Sequence, residues 1–574
     1  MRDYFSIYYI PSDSKKESCS RKRCKRRQDN VDWDSLFRYW TQVERTIATQ
    51  LPWPRTTLEI KHGRISESGV LIGDLPRLFS TFYGHVRIAD GIARRRIMDD
   101  TFRHLTDFQS LDISYCNQET VTDDAFRHLT KLQVLCMKWC NQETITDNAF
   151  RYLTNLQSLD MGGCNQLKVT DDAFRHLANL QVLRMKWCNQ ETITDNAFRY
   201  LTNLQSLDMG GCHPVTVTND AFRHLTNLKS LEMSFCNQIA ITDDAFRYLA
   251  NLQSLDMGGC NQVTVTNTAF RHLTNLQSLD ISSCTQKTIT DDAFQDFTNL
   301  RSLSIVGCTQ ETITINAFRH LTSLQSLDME RCNRTTITNE AFRHLKNLQS
   351  LDMMGCNQTT ITNCAFRHLT NLHSLVMLRC DQSTITDDAF QYLTKLQSLD
   401  MHACNQITIT DNAFGHLTNL HMLNMSLCTQ EMITDDAFRP LSNLRSLNMG
   451  GCKQRTITDN AFRHLTNLHS LLMSKCNQRM ITDGAFRHLT NLKWLDMGGC
   501  NQETITDNGF RYLGSLQSLI MCGCNQRTIT NNAFRHLAHL QSLNICLCNQ
   551  ETITDAVFQL LPNADILPGL LSAI

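Results

Sequence analysis

The sequence has no run of about 18 consecutive apolar residues, the length that a helix needs to cross a bilayer. It begins with MRDYFSIYYIPSDSKKE and so has no long apolar segment after a basic start, which a secretory signal would require. The formal net charge of the 574 residues is −1, which is not typical of a chain that binds nucleic acid over its whole surface. We therefore expect an intracellular protein, cytoplasmic or nuclear, that does not span a membrane.

Motifs for catalysis and for cofactor binding are also missing. The sequence has no glycine-rich phosphate loop, no quartet of zinc ligands, and no nucleophile with a base placed beside it. Its 25 cysteines would suggest disulfides in a small secreted domain, but this chain is long, without a signal, and the number is odd. We therefore expect reduced thiols, no cofactor and a function other than catalysis.

What the sequence does contain is a repeat of 24 residues. Residues 189–212 read NQETITDNAFRYLTNLQSLDMGGC, and residues 141–164 are identical to them. A phenylalanine recurs every 24 residues from Phe102 to Phe558 without an insertion or deletion. A period of about 20–50 residues is typical of solenoid proteins, in which stacked units share one core. The near-identical copies indicate duplication in blocks of two repeats, so part of their uniformity reflects ancestry.

Each unit predicts a short strand followed by a helical turn. In the unit LQVLCMKWCNQETITDNAFRYLTN, the residues around Leu135 alternate between inward and outward positions, as in a strand. Thr146 and Asp147, which precede Phe150, are residue types that begin helices. The unit cannot bury its apolar edge alone, so the repeats must stack.

This unit resembles a leucine-rich repeat, with L-x-x-L-x-(M/I)-x-x-C followed by A-F-x-x-L in register over residues 108–566. The cysteine at the bend and the ITD after it are similar to the cysteine-containing repeats of F-box proteins. The length of 24 residues and the AF pair resemble the extracellular-type repeat. The resemblance implies an α/β fold, a leucine-rich-repeat solenoid or curved horseshoe, with a parallel β-sheet on the concave face and short helices and turns on the convex face.

Other recurring residues are interpreted as structural. One cysteine per repeat spreads the sulfur atoms along a line, whereas zinc needs four ligands around one point, so we expect small buried residues that fill the turn. The methionines, such as Met137, are assigned to the core. Gln142 and its equivalents stand where the family has leucine, which predicts a more hydrated bend. Pairs such as Arg127-His128 predict a solvated convex face, with binding to an acidic surface or to phosphate as the alternative.

The outward strand positions carry acidic residues, and aromatic residues follow them in the N-terminal third. Like charges on neighbouring strands repel, so the acids are expected to add nothing to the fold, and exposed aromatics beside charge are typical of binding hot spots. Duplication with drift is the alternative explanation, and later units are apolar or variable at these positions. The predicted partner-binding residues are Asp112, Tyr115, Trp139, Asp160, Trp187, Asp208, Glu232, Phe235, Asp256 and Asp280.

The two ends of the chain differ from the repeats. Residues 1–30 are basic and predict a disordered tail, either a nuclear import signal or a contact to RNA or DNA. Its basic run consists of Arg21, Lys22, Arg23, Lys25, Arg26 and Arg27. Residues 31–96 predict a helix over 32–51 and then irregular entry repeats with strands TTLEI (56–60) and HVRI (85–88), as a cap or, alternatively, with the remnant of an F-box. About nineteen units fill residues 97–556, and residues 557–574 predict the C-terminal cap.

The sequence thus predicts a non-enzymatic, monomeric scaffold that binds another protein through the concave face of the repeats. The alternative is a substrate receptor of a ubiquitin ligase, in which residues 31–60 dock the adaptor and the repeats select the target. Nucleic-acid binding through the basic tail and the convex arginines ranks below both.

Overall fold

The computed structural model describes residues 56–60, 83–88, 95 and 97–567, apart from short gaps at residue 104, in most of the bends after the repeated cysteine, and at 555 and 563. The chain divides into two compact units, Met1–Asp208 (unit 1) and Met209–Ile574 (unit 2). The basic run at residues 21–27, the helix predicted over 32–51 and the last seven residues of the predicted C-terminal cap lie outside the described residues.

In both units each repeat contributes one short strand to a parallel sheet. Unit 1 contains β1 (Thr56–Ile60), β2 (Tyr83–Ile88), β3 (Ser110–Asp112), β4 (Val134–Cys136), β5 (Ser158–Asp160), β6 (Val182–Arg184) and β7 (Ser206–Asp208). Unit 2 contains β8 (Ser230–Glu232), β9 (Ser254–Asp256), β10 (Ser278–Asp280), β11 (Ser302–Ser304), β12 (Ser326–Asp328), β13 (Ser350–Asp352), β14 (Ser374–Val376), β15 (Ser398–Asp400), β16 (Met422–Asn424), β17 (Ser446–Asn448), β18 (Ser470–Leu472), β19 (Trp494–Asp496), β20 (Ser518–Ile520), β21 (Ser542–Asn544) and β22 (Asp565–Leu567).

Neighbouring strands of a unit pair in parallel and follow the order of the sequence. Within β3–β7 and within β8–β21, paired residues are 24 positions apart, so equivalent side chains of successive repeats stand side by side. Because neighbouring strands are about 4.8 Å apart, any outward position forms a regularly spaced row.

A short helix follows the bend of each repeat. The α-helices are Asp99–Phe102, Asp147–Phe150, Asp171–Phe174, Asp195–Phe198, Asn219–Phe222, Asp243–Phe246, Asn267–Phe270, Ile315–Phe318, Asn363–Phe366, Asp507–Phe510 and Ala556–Leu560. The 3₁₀ helices are Asp123–His128, Asp291–Phe294, Asn339–His344, Asp387–Tyr392, Asp411–Phe414, Asp435–Phe438, Asp459–Phe462, Asp483–Phe486 and Asn531–His536. Most begin after a threonine whose hydroxyl accepts a hydrogen bond from the backbone two residues on, as Thr146 does from Asn148 at 3.3 Å. The predicted threonine cap is therefore confirmed.

The core lies between the strands and the helices of each unit. Leu135, Met137 and the repeated phenylalanines from Phe102 to Phe534 are buried. Phe558, the last member of this series, is exposed, since its helix packs against one neighbouring helix, Asn531–His536, rather than between two. In the part of the chain that the structure describes, no helix has the length and apolar character needed to cross a membrane.

The ITD motif joins consecutive repeats. The carboxylate of Asp147 accepts hydrogen bonds from the backbone N–H and the hydroxyl of Thr170, both at 2.7 Å. Where asparagine replaces the aspartate, as at Asn363, the amide oxygen accepts from the N–H of Thr386 at 2.8 Å and the amide nitrogen donates to its hydroxyl at 2.7 Å. Both side chains satisfy a helix start, which explains why this position takes either residue.

Candidate binding surface

The turn after each strand from β3 to β21 has one residue in the left-handed conformation. This residue precedes the repeated cysteine, and its φ lies between 54° and 73° in all nineteen repeats. In eight repeats it is glycine, which adopts such angles without steric cost. In the other eleven it carries a side chain: Tyr115, Trp139, Trp187, Phe235, Ser283, Arg331, Arg379, Ala403, Leu427, Lys475 and Leu547.

The acidic residues at the third strand position stabilise this turn. Asp256 Oδ1 accepts a hydrogen bond from the backbone N–H of Gly258 at 2.8 Å, and Asp280 does so from Ser282 at 2.8 Å. Asn448 makes the same bond to Gly450 at 3.0 Å. The expectation that the acids add nothing to the fold is therefore wrong, because each carboxylate satisfies a backbone donor that the turn would leave without a partner.

In unit 1 the acidic stripe is interrupted by basic residues. Asp112 pairs with Arg87 at 3.6 Å, and Asp160 pairs with Lys138 at 3.1 Å. The hydrogen bond to Asp160 raises the pKa of the Lys138 ammonium. Arg184 is paired in register with both Asp160 and Asp208 on the two neighbouring strands. Asp160 and Asp208 are also buried. Because basic residues lie between the acids, the stripe predicted in unit 1 is a surface of mixed charge.

In unit 2 the acidic stripe occupies five of the first six strands, with Ser304 in place of an acid on β11. Glu232, Asp256 and Asp280 face one another in register on β8, β9 and β10. Asp328 and Asp352 continue the stripe on β12 and β13, and burial raises the pKa of both, against the hydrogen bonds that they accept from the backbone. Repulsion from Asp328 raises the pKa of Asp352 further. The predicted negative potential therefore belongs to β8–β13.

All four predicted aromatic residues stand in the left-handed position. Tyr115, Trp139, Trp187 and Phe235 are between 41% and 55% exposed. The indole of Trp139 lies over Gly163 of the next repeat, where a Cβ atom would be 2.4 Å from Cδ2 of the ring. Phe235 lies over Gly259 in the same way, with a Cβ atom 2.6 Å from Cδ1. Trp139 and Phe235 thus each require glycine in the next repeat, whereas Tyr115 is followed by Trp139, so the rule does not hold for every large side chain.

Placing a bulky residue in this conformation destabilises the fold. A left-handed residue with a Cβ costs about 1–2 kcal/mol, and rings that are 41–55% exposed recover only part of the area that full burial would give. Strained conformations of this kind concentrate at functional sites. That residues 115, 139, 187 and 235 bind a partner stays a prediction.

The structure also shows a row of basic residues that the sequence prediction missed. His373, His421, Arg445, His469 and Lys493 each precede a strand between β14 and β19, where most other repeats have glutamine. The signal was the spacing of the three histidines, which are 48 residues, or two repeats, apart.

The remaining rows have structural roles. The thiol of Cys188 donates to the carbonyl of Met161 at 2.7 Å, and burial raises its pKa to about 12. Within the described residues no cluster of three or more histidine, cysteine or acidic side chains could hold a metal ion. Gln142 is buried, as are Gln430, Gln454, Gln478, Gln502 and Gln526. That the bend is more hydrated stays a prediction.

The convex arginines are paired locally. Arg127 donates through Nε to His128 at 2.9 Å, and its Nη1 lies 3.9 Å from Asp124. Arg151 stacks over the ring of Tyr152, with 4.6 Å between its Cζ and the ring centroid. Several of these arginines therefore already have an adjacent acid or ring, which agrees with the interpretation of a solvated face.

Comparison with known proteins identifies the family. The model of the BspA-type leucine-rich repeat region matches residues 95–229, 215–349, 335–469 and 431–564. The chain therefore belongs to the BspA-type leucine-rich repeat proteins, and the predicted solenoid fold is confirmed. No curated protein matches the chain. The family match does not test the resemblance to F-box proteins, which stays a prediction.

Two solved structures match the chain, and the first of them shares its fold. The structure of a TLR13–ssRNA13 complex shares 21% identity, with a TM-score of 0.62 over 89% of this chain and 84% of that one. A leucine-rich repeat protein of Leptospira interrogans shares 18% identity, with a TM-score of 0.47 over 81% of this chain and 97% of that one. At these identities the comparison shows the fold alone.

Proposed function

We propose that the protein is a scaffold without catalytic activity that binds a partner protein through the concave face of its repeats. Leucine-rich repeat solenoids commonly serve as interaction scaffolds, and each repeat here offers a different set of outward side chains on one backbone. The observation that carries the proposal is the set of exposed aromatic residues in left-handed turns, above all Trp139 and Trp187.

Other repeats have glycine at the position of these tryptophans. Gly163 and Gly211 adopt the same turn, so the fold does not require a tryptophan there. A tryptophan that is nearly half exposed leaves much of its ring outside the core, and this part is a large rigid surface that a partner can desolvate. Tryptophan at 139 and 187 therefore favours binding of a partner over stability.

The test captures partners from cell extract with the full chain and with the double variant Trp139→Gly/Trp187→Gly. We expect the variant to remain folded and to lose specific captured proteins. The matched control is Leu547→Gly, which relieves an exposed left-handed residue far along the sequence and should leave the captured set unchanged. Recovery of the same proteins by the double variant would remove the aromatics from the interface.

The acidic stripe is tested by neutralisation that keeps the turn. Asp256→Asn and Asp280→Asn preserve the hydrogen bond to the backbone, since asparagine already makes it at residue 448. We expect weaker capture of any partner that uses the stripe. Reversal to lysine is a poorer test, because it also removes the acceptor that holds the turn.

The ubiquitin-ligase alternative has a separate signature. It requires that residues 31–60 capture an adaptor and a cullin. A polar substitution in the predicted helix, such as Leu36→Asp, should abolish this capture and leave the capture of other proteins by the repeats unchanged. A capture experiment in which neither protein is found would exclude this alternative.

Nucleic-acid binding is a second candidate, favoured by the lysines beside the tryptophans. Lys138 and Lys186 precede Trp139 and Trp187, and cations beside aromatic rings bind single strands. The TLR13 structure is also a complex with single-stranded RNA. We rank this below protein binding because Lys138 is already paired with Asp160. Absence of binding to a single-stranded oligonucleotide at low salt would exclude it.

A further inference from the structure

The sheet face of unit 2 is divided by charge. Each strand contributes five residues to this face. They are the residue before the strand, the first and third residues of the strand, and the second and third residues that follow the strand. On β8–β13 this face carries six acids and three basic residues: Glu232, Asp256, Asp280, Asp328, Glu330 and Asp352 against Lys229, Arg301 and Arg331. On β14–β19 it carries two acids, four basic residues and four histidines: Asp400 and Asp496 against Arg379, Arg445, Lys475 and Lys493, with His373, His402, His421 and His469.

The basic residues of the second half are contiguous. The backbone N–H of Arg445 donates to the carbonyl of His421, that of His469 to Arg445, and that of Lys493 to His469, each at 2.8 Å. These four residues therefore stand on successive strands, about 4.8 Å apart. Arg445 and Lys493 are exposed and the two histidines are half-buried, so the row is open to a ligand.

The two acids on the same strands, Asp400 and Asp496, offset only part of the charge of the four basic residues. Asp400 Oδ1 accepts from the backbone N–H of His402 at 2.9 Å, and its Oδ2 accepts from the amide of Asn424 at 3.0 Å. Asp496 accepts from the N–H of Gly498 at 2.9 Å. The equivalent positions on β16 and β17 are the neutral Asn424 and Asn448, whereas most strands in the first half have an acid there.

We infer that the sheet face over β14–β19 binds an acidic segment of a partner protein, and that protonation of its histidines strengthens this binding. Histidine is the side chain whose charge ordinarily changes between pH 5 and 8, so binding measured at two pH values tests whether the histidines of this face take part. The six strands span about 24 Å, the length of about seven residues of extended chain. This inference rests on the proposed function, for which it names a class of partner.

An acidic peptide fits this face better than a nucleic acid. Single strands bind by stacking successive bases on aromatic rings, and over β14–β19 the one aromatic residue of this face besides the histidines is Trp494. A long polyanion would also extend over the acidic stripe of β8–β13 and be repelled there. A short acidic segment avoids both problems.

The experiment titrates the full chain with an octa-aspartate peptide at pH 7.5 and pH 5.5, in 50 mM and 300 mM salt, by calorimetry. Aspartate remains ionised at both pH values. We expect binding at least tenfold tighter at pH 5.5 than at pH 7.5 in 50 mM salt, and clearly weaker binding in 300 mM salt. In His421→Gln/His469→Gln the gain at low pH should be clearly smaller, because only His373 and His402 remain, and Arg445→Gln should weaken binding at both pH values. Glutamine at Gln397 shows that this position tolerates the change.

The control is His464→Gln, which removes a histidine from the helix side of a repeat and should keep the full gain at pH 5.5. The inference is overturned if octa-aspartate does not bind at pH 5.5 in 50 mM salt, or if the double histidine variant keeps the full gain. It is also overturned if a single-stranded octanucleotide binds more tightly than the peptide through the same residues. These failures leave the proposed function intact, because that is tested separately by capture through Trp139 and Trp187.

Discussion

Asp123 holds Thr146 of the following repeat with both oxygens of its carboxylate. One oxygen accepts from the backbone N–H of Thr146 at 2.7 Å, and the other accepts from its hydroxyl at 2.6 Å. The hydroxyl oxygen of Thr146 in turn accepts from the N–H of Asn148 at 3.3 Å. One threonine thus joins two repeats and caps its own helix, which is the physical reason for the recurring ITD motif.

One repeat lacks this connection and offers a stabilising substitution. Ile315 stands at the aspartate position and has no oxygen to accept from Thr338. We expect Ile315→Asp to raise the free energy of unfolding by about 1–2 kcal/mol relative to Ile315→Ala, because it adds hydrogen bonds to a charged acceptor. Urea denaturation of both variants measures the difference. Equal midpoints for the two variants would contradict the connection.

Because Trp139 contacts Gly163, a substitution at Gly163 should cost more stability than one at Gly523. Gly163 and Gly523 have φ of 73° and 69°, but a Cβ atom at Gly163 would lie 2.4 Å from the Trp139 ring, whereas at Gly523 it would meet nothing within 4 Å. We expect Gly523→Ala to cost about 1–2 kcal/mol for its conformation and Gly163→Ala to cost clearly more. Adding Trp139→Ala to Gly163→Ala should remove the excess. If thermal denaturation shows equal losses for the two glycines, the ring does not occupy this place.

The phenylalanine row predicts a contrast between a central and a terminal repeat. Phe318 is buried, whereas Phe558 is exposed. We expect Phe318→Ala to cost about 3–5 kcal/mol and to weaken the adjacent repeats, because it opens a cavity in the shared core. Phe558→Ala, as the matched change, should cost under about 1 kcal/mol. Hydrogen exchange by mass spectrometry would locate the loss, and a loss at Phe318 as small as at Phe558 would speak against a continuous core.

The cysteines predict selective labelling. Cys364 is exposed, whereas Cys188 is buried, with its pKa raised to about 12 by burial. A thiol with that pKa is about one part in ten thousand thiolate at pH 8, and only the thiolate reacts. We expect iodoacetamide at pH 8 to modify Cys364 in the native protein and Cys188 only after denaturation. Peptide mapping reads the result, and equal labelling of both residues in the native state would refute the buried row.

Much of the fold follows from the sequence because its causes are periodic and local. Phe150, Leu135 and Met137 recur at a fixed spacing, and burial of an apolar residue on every repeat needs no knowledge of the neighbouring chain. Thr146 was assigned to a helix start because a short hydroxyl side chain can bond to its own backbone. The structure places all four as expected.

The candidate site could be predicted from the sequence less completely than the fold, because its residues contact partners in the next repeat. The sequence predicts Asp112 as part of an acidic stripe, but Asp112 pairs with Arg87. This ion pair could not be predicted, because the entry strands do not follow the regular spacing of the repeats. Asp256 was read as a binding residue alone, yet it also holds a turn. The sequence did not predict the basic row at His421 and Arg445, because its charge depends on residues of different repeats that the strands bring side by side.

The sequence by itself therefore determined the repeat, the solenoid and which side chains enter the core. Only the tertiary structure decided the conformation of the turn that presents Trp139. Its N–H donates to the carbonyl of Gly162 in the next repeat at 2.8 Å, so the neighbouring strand, and not the preference of tryptophan, directs the backbone there. A hydrogen bond between repeats fixes that geometry, and no local propensity could have indicated it.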